Sequence, residues 1–396
     1  MSNIAIPKKG EKGIIIPSGD WTLDINGNVN AFATSTKAKG DKVSIRGGLA
    51  TTKDSSGESF SINTGLLPAW LGFTGTTRQN DTDVSFQISL SPNGNVGSTG
   101  DDKEPLFRQS YLSFGDKSRG SIKLGKDIGI FASDAILNDM TLLGVGQSAG
   151  NLSSGATSFG GIGTGYIYAG WKTQVAYTTP NFSGFQATVG ITNPNQVPKP
   201  VVDYGESAIT SNALYEDRFG LEGKASYSFS VDNVKGKIWV GGASYKVGTD
   251  NGTNYNTAKE YTANVRDIGA NINIAGFGLT GYYYSGEGVG TTFIGHNAAS
   301  ADGAKRDSDG GYAQATYVLP FKTKVGVAYG WSHLDRAANE ATSALAKEND
   351  RMTVSLYHPL TKHLNLVAEY NDIGTEAHNG YKNESQTYSA GAILFF

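Results

Sequence analysis

Val84-Ser-Phe-Gln-Ile-Ser-Leu90 puts an apolar side chain at every second position and a polar one between. Side chains of an extended chain point to alternate faces, so this stretch reads as a strand with one apolar and one polar face. The same pattern recurs in both directions. Trp21, Leu23, Ile25, Val29 and Ala31 alternate with Thr22, Asp24, Asn26, Asn28 and Asn30. Phe185, Ala187, Val189 and Ile191 alternate with Gln186, Thr188 and Gly190, and Leu221, Ala225, Tyr227 and Phe229 with Glu222, Lys224, Ser226 and Ser228. Later, Val325, Val327, Tyr329 and Trp331 share one face, and Leu364, Leu366, Ala368 and Tyr370 another. Sixteen strands follow, over 20–35, 60–75, 81–92, 105–115, 119–126, 164–179, 183–193, 213–229, 234–247, 258–273, 276–286, 309–320, 322–334, 349–359, 363–373 and 384–396. Parity changes between Val265 and Ile268, which suggests either a bulge near Arg266 and Asp267 or a strand boundary placed differently.

Alternation also suits a soluble two-sheet sandwich. Three features favour a closed membrane barrel: an even strand count, polar faces of Asn, Thr, Ser, Gln, Gly, Lys and Glu that suit a wet lumen, and connections that alternate in length. Short turns lie at Thr179-Pro-Asn181, Leu319-Pro-Phe321 and His358-Pro-Leu-Thr-Lys362, and long polar loops at 37–57, 194–212, 287–308 and 335–348. Aromatics near strand ends (Trp21, Tyr177, Tyr227, Trp331, Tyr357, Tyr370) suit interfacial girdles. The expected fold class is all-β: one sixteen-stranded antiparallel transmembrane β-barrel over residues 20–396, preceded by an N-terminal extension at 1–19. Tyr388, Ala390, Ala392, Leu394 and Phe396 alternate to the terminal residue, as a strand that closes the sheet requires.

Composition agrees. The 396 residues include 53 Gly, 20 Tyr and 17 Phe, and only 17% are charged, against about 25% in soluble domains. A net charge of −3 gives no basic field for nucleic acid. Without cysteine there is no disulfide, thiol nucleophile or thiolate metal site. No apolar run reaches the length of a helical span, about 18 residues. Met1-Ser-Asn-Ile-Ala-Ile-Pro-Lys-Lys-Gly10 does not read as a signal peptide, so an exported protein is expected here in mature form.

The chain resembles the trimeric Gram-negative general porins. Leu71-Gly-Phe-Thr-Gly75 looks like their second-strand signature, and Phe107-Arg-Gln-Ser-Tyr-Leu-Ser-Phe-Gly115 followed by Gly120-Ser-Ile-Lys-Leu-Gly-Lys126 like the hairpin before their constriction loop. Tyr177-Thr-Thr-Pro-Asn-Phe-Ser-Gly-Phe185 and Tyr357-His-Pro-Leu-Thr-Lys-His-Leu-Asn-Leu366 resemble their periplasmic turns. The resemblance implies a homotrimer in the bacterial outer membrane, in contact with lipid and lipopolysaccharide, that passes small hydrophilic solutes and ions by passive diffusion without a cofactor. Combined with sixteen strands, the terminal Phe396 reads as an outer-membrane assembly signal, the alternative being an ordinary apolar end strand.

In that family the third loop folds into the lumen, and 127–163 is the candidate here. It carries Asp127, Asp134 and Asp139 and neither Lys nor Arg. Residues 133–140 suit a short helix with Ser133 as cap and Asp134 in its first turn. Ile136, Leu137, Met140, Leu142 and Leu143 would pin it to the wall, with Gly/Ser-rich 144–163 bending back. The family sets basic groups opposite. By parity Arg108 shares a polar face with Ser110, Lys123 with Ser121, and Lys172 with Gln174; the alternative is that these are wall charges away from the waist. Glu222 and Glu369 also face inward by parity. Where the family usually carries an arginine and a lysine, this chain has Trp70 and Asn28. Trp70 either narrows the waist and stacks organic solutes, or faces lipid or a trimer contact. The first option supports an alternative function, a channel selective for small organic acids or aromatic solutes.

No enzyme or metal site emerges. Gly144-Val-Gly-Gln-Ser-Ala149 lacks a surrounding βαβ unit, the five histidines form no HExxH pair, and the fragments at 307–310 and 250–254 lack the distal acid of a calcium loop.

Overall fold

The computed structural model describes residues 13–52, 58–92, 106–147, 157–193, 211–214, 218–250, 259–300, 303–338 and 340–396. Its strands are β1 (Ile14–Ser18), β2 (Trp21–Gly40), β3 (Glu58–Asn63), β4 (Trp70–Gln79), β5 (Thr82–Ser91), β6 (Leu106–Asp116), β7 (Gly120–Ile128), β8 (Trp171–Thr178), β9 (Phe185–Thr192) and β10 (Ser211–Leu214). They continue as β11 (Gly220–Val231), β12 (Val234–Asp250), β13 (Lys259–Ile274), β14 (Phe277–Glu287), β15 (Asp307–Val318), β16 (Lys324–Leu334), β17 (Ala346–Pro359), β18 (Leu364–Ala377) and β19 (Lys382–Phe395). All belong to one antiparallel sheet, and β19 returns to pair with β2.

Three short segments do not add wall strands. β3 and β4 both pair with β2 and are two halves of one wall strand. β10 pairs with β12 just beyond β11, and β1 pairs with Trp21–Ile25, beyond the end of β19. Sixteen wall strands remain, as expected. The gap between β3 and β4 interrupts the continuous strand expected at 60–75. Pro68, which has no N–H to give a ladder, lies in the bend. Asn28 and Asn30 take up the bend instead: Asn28 donates to the Pro68 carbonyl (3.0 Å) and Asn30 to that of Leu67 (2.9 Å), and the Gly65 amide donates to Asn30 (2.9 Å).

Burial identifies the two faces. On β18, Leu366 and Ala368 are exposed, whereas Val367, Glu369, Asn371, Ile373 and Thr375 are buried. Val189, Ile238, Val240, Ile268, Val327 and Val354 likewise sit on the exposed, outer face. The seam is tight at the chain end, where the Gly27 amide donates to the Phe396 carbonyl (2.9 Å) and the Phe396 amide to that of Gly27 (3.1 Å). A Cβ on Gly27 would stand 2.3 Å from the Trp70 carbonyl oxygen, so only glycine fits.

Several expectations require correction. No bulge occurs at Arg266–Asp267: β13 pairs without a shift on both sides, and Tyr261, Ala263 and Val265 face inward. Those residues belong to an apolar cluster inside the barrel. Trp239, Tyr245, Tyr282, Tyr284 and Tyr312 of the inner wall meet Phe131, Ile136, Leu142, Phe159, Ile162 and Tyr166 from the connection between β7 and β8, and Val289 and Ile294 from that after β14. The lumen is therefore partly a hydrophobic core, not uniformly wet. Tyr357 points inward and is buried, so it is no girdle residue.

Candidate functional site

The connection between β7 and β8 spans 129–170, later than the expected 127–163; Asp127 is part of β7. It holds a short helix, α1 (Ser133–Asn138), and a 3-10 turn over Met140–Leu143. The helix begins at Ala132, in the left-handed region (φ 60°), and not at a Ser133 cap. Ser133 Oγ is used otherwise, donating to the Ile130 carbonyl (2.8 Å). Asp134 does lie in the first turn, and Ile136, Met140 and Leu142 are buried.

The loop is fastened across the barrel by inward side chains of distant strands. Glu222 on β11 accepts from the Ile130 (2.7 Å) and Phe131 (2.9 Å) amides, and from Tyr245 (2.7 Å) and Lys172. Glu369 on β18 accepts from the Val145 (2.9 Å) and Gly146 (2.8 Å) amides and from Tyr357 (2.8 Å). Between them Tyr312 donates to the Ala135 carbonyl (2.8 Å), and Gln314 accepts from the Met140 amide (2.9 Å) and donates to the Asn138 carbonyl (2.7 Å). Beyond β18, the Leu66 amide in the β3–β4 bend donates to the Gly144 carbonyl (2.9 Å). The loop thus follows the inner wall from β11 round to the bend before β4. Two carboxylates grip successive amides in a buried setting, where charge-assisted hydrogen bonds are strong.

Asp139 organises the loop from within. One oxygen accepts from the Thr141 amide (2.9 Å) and hydroxyl (2.8 Å), the other from the Gly161 amide (2.9 Å) and Tyr166 (2.8 Å), and Arg351 of β17 stands 3.7 Å away. Asp134 meets Lys224 (2.9 Å) and Lys237 of β11 and β12. Asp127 pairs with Lys123 along β7 and accepts from Gln109 (3.0 Å). Lys172 pairs with Glu222.

The cations facing the loop's acids are therefore Lys224, Lys237 and Arg351, none of which was singled out from sequence. The signal was parity. Lys224 alternates with Leu221 and Ala225 on a recognised strand, and Arg351 shares its face with Thr353 and Ser355. Lys123 and Lys172 face inward as expected. Arg108 does not. Ser89 pairs with Gln109 and Leu90 with Phe107, which makes Arg108 the extra residue of a bulge. Its guanidinium carbon lies 5.7 Å from the ring of Trp171, which shares the outer face of β8 with Val175. Ser110 is outward too, so the polar residue that suggested an inward face misled.

Trp70 lies on the inner face, level with Asn28, half-buried, with its ring over Gly72, where a Cβ would come within 2.2 Å of it. The exposures within the ion pairs are unequal. The Lys123, Lys224 and Lys237 side chains keep 34%, 26% and 22% of their surface, against 6% for Asp127 and 5% for Asp134. Within these three pairs the lysine side chain is the more exposed partner. Among the described residues no group of three His, Asp or Glu side chains could hold a metal.

A family model described as Gram-negative porin matches residues 19–378. Among curated proteins no sequence matches. Of the solved structures, the outer membrane channel DcaP of Acinetobacter baumannii is similar at 14% identity, with a TM-score of 0.68 and coverage of 97% of this chain and 100% of that one. OmpF of Salmonella typhi, in a complex with daunomycin, gives 15% identity, a TM-score of 0.56 and coverage of 97% and 100%. The trimer form of OmpT from Vibrio cholerae gives 14%, 0.52, 95% and 99%.

Proposed function

Because the chain belongs to the Gram-negative porins, outer-membrane channels for passive diffusion, we propose that its lumen narrows between the loop at 129–170 and the inner wall that carries Trp70 and Lys123. Small hydrophilic solutes and ions cross there down their gradients. The waist favours anions modestly. The observation that carries this is the inequality within the ion pairs: Asp127 and Asp134 are withdrawn while Lys123, Lys224 and Lys237 are in reach of solvent. Charged side chains lining a narrow, low-dielectric pore bias which ion enters. Lys172 and Arg351, both buried, hold the loop's surroundings together instead. The working unit is a homotrimer seated in outer-membrane lipid and lipopolysaccharide, a reading supported by the trimer form of its structural relative from Vibrio cholerae.

The test is single-channel recording in a planar bilayer under a salt gradient. A reversal potential of the sign set by anions, with openings in groups of three, is expected. A cation-selective potential would overturn the selectivity. Absence of conductance from folded protein would make the loop a plug.

A second reading has its own support in Trp70. Its indole lies on the inner wall over Gly72, where it offers a flat apolar face to an aromatic acid drawn in by Lys123. Saturable block of the current by benzoate, lost in Trp70→Ala, is expected; linear, unsaturated flux in the wild type would remove this reading.

A further inference from the structure

The inner wall divides by charge. On β11 and β12 it carries Lys224 and Lys237, both on Asp134, with Lys235 beyond them toward the short-turn rim. On β2, β4 and β5 the stretch between the rim pair Arg78–Asp83 and Trp70 is different. Among the described residues there, Asp24 is the one charged side chain, and the other inward side chains are those of Thr, Ser, Asn and Gln. This uncharged strip rises about 20 Å along the pore from Arg78 to Trp70, at about 3.3 Å per residue and a tilt near 40°. At its lower end lies a cavity of about 910 Å³, bordered by Thr22, Thr76, Ser85 and Ser113, beside Asp116 and Asn181 in the short turns. Its size is that of a small-molecule site.

One side chain at the top of the strip is not satisfied. Asn26 donates to the Thr74 hydroxyl (3.3 Å), and that hydroxyl donates to Gln87 Oε1. Gln87 Nε2 is left without a hydrogen-bond partner among the described residues, on a side chain only 7% exposed. It is aimed at the space over Gly72. The point where a Gly72 Cβ would lie is 2.8 Å from Gln87 Nε2, 2.8 Å from Asn26 Oδ1 and 2.2 Å from the Trp70 ring. The half-buried indole thus lies as a flap over an amide donor that nothing takes up, and the missing Cβ of Gly72 makes room for both. A buried donor without an acceptor is costly, so an acceptor that enters between ring and wall is favoured.

We propose that Trp70 and Gln87, with Asn26 and Thr74, form a binding subsite for a neutral polyhydroxylated solute, a small sugar, on its way through the pore. A hydroxyl is donor and acceptor at once, so one sugar hydroxyl accepts from Gln87 Nε2 and donates to Asn26 Oδ1. The indole swings off Gly72 and packs on the apolar C–H face of the sugar ring, a contact suited to a side chain with an apolar body. Below it, the hydroxyls of Thr76 and Ser85 exchange hydrogen bonds with the solute in place of water as it passes into the cavity. The strip offers no cation to an anionic ligand, which sets this subsite apart from one for aromatic acids drawn in by Lys123. The inference rests on the reading of this chain as a diffusion channel and names a solute class for it.

The experiment is single-channel recording with maltose titrated in, against a polyethylene glycol of similar mass at matched viscosity. Maltose is expected to reduce the wild-type current saturably, and the glycol only in proportion to viscosity. In Gln87→Leu the half-blocking concentration should rise about fivefold or more, as for the loss of one hydrogen bond. In Trp70→Ala saturation should disappear, whereas Trp70→Phe, which keeps a flat apolar face, should retain it. The unblocked current of each variant, read in the same trace, shows that its barrel has formed. A linear maltose response in the wild type would overturn the subsite, and so would one saturation curve shared by wild type, Gln87→Leu and Trp70→Ala. A melting titration of the detergent-solubilised barrel with maltose reads the same affinities without a current. If folded wild-type protein gave no conductance, the channel reading would fail, and the melting shifts would still decide the subsite.

Discussion

Replacing Glu369 with alanine should loosen the loop without opening the barrel. The carboxylate accepts two backbone amides of the loop, from Val145 and Gly146, and the Tyr357 hydroxyl, all buried. Its backbone stays in the ladder, paired with Ser355 and Ser389. Leaving a buried donor unsatisfied costs about 1–3 kcal/mol, so two stranded amides favour release of the 144–147 segment by about 2–6 kcal/mol. Even the lower end moves the docked-to-released ratio by more than about tenfold. The Leu66–Gly144 hydrogen bond and the Glu222 clasp remain, so release should be partial. Single-channel traces of Glu369→Ala should therefore show larger mean conductance and frequent flicker, with the melting temperature of the barrel close to wild type. Glu369→Gln keeps the shape and one acceptor oxygen and should fall between. If Glu369→Ala gave the quiet wild-type current, the clasp would have no part in holding the loop, and the reasoning would fail.

Other outcomes follow from the same geometry. Lys224→Gln/Lys237→Gln strips Asp134 of both ammonium groups, at a cost of about 3–5 kcal/mol if the carboxylate stays buried; the reversal potential should shift toward cations, with each single variant intermediate. Gly27→Ala puts a methyl against the Trp70 carbonyl at a residue whose N–H and C=O both bond Phe396. Overpacking of about 1–3 kcal/mol there should weaken the seam, seen as loss of the folded band on unheated electrophoresis. Outside the membrane, the Arg306 guanidinium holds the Glu340 carboxyl below its ordinary value of 4.5. A depressed carboxylate contributes stability above that value and loses it as pH falls through the lowered one. Hydrogen exchange at 297–300, 303–306 and 340–345 should thus be protected at neutral pH and accelerate at acid pH, while Glu340→Gln should exchange fast at both.

The wall was legible because period-two alternation survives wherever one face meets lipid. Strand count, the seam and the inward parity of Lys123, Lys172, Glu222 and Glu369 all follow from it. Three kinds of feature escaped. A bulge costs the sequence no visible mark, and the one at Arg108 went unseen. Polar residues on the outer face, Ser110 and Thr173 among them, put Arg108 on the wrong side, because it does share the face of Ser110 and that face is the outer one. Apolar residues on the inner face, such as Val265 and Tyr261, hinted at a bulge because a wet lumen had no place for them. The lumen has such a place only once the loop fills it, and a contact between 129–170 and β12–β15 is tertiary information that local pattern does not hold. The same holds for Asp134, whose partners lie 90 and 103 residues away.

The apolar cluster within the barrel also constrains the order of assembly. Part of it comes from a connection early in the chain and most of the rest from strands and a loop that follow, and the sheet is sealed only when β19 meets β2. Pairings so distant in sequence form slowly. Until the sheet curls far enough to enclose the loop, Phe131, Ile136, Phe159 and Ile162 have no wall to cover them, and the nascent barrel carries greasy surface on both its faces. Late closure would trap the loop inside; early closure would shut it out. The folding route of this chain must therefore seat the loop before the last strand locks, and that is a timing requirement that a barrel with an empty interior would not face.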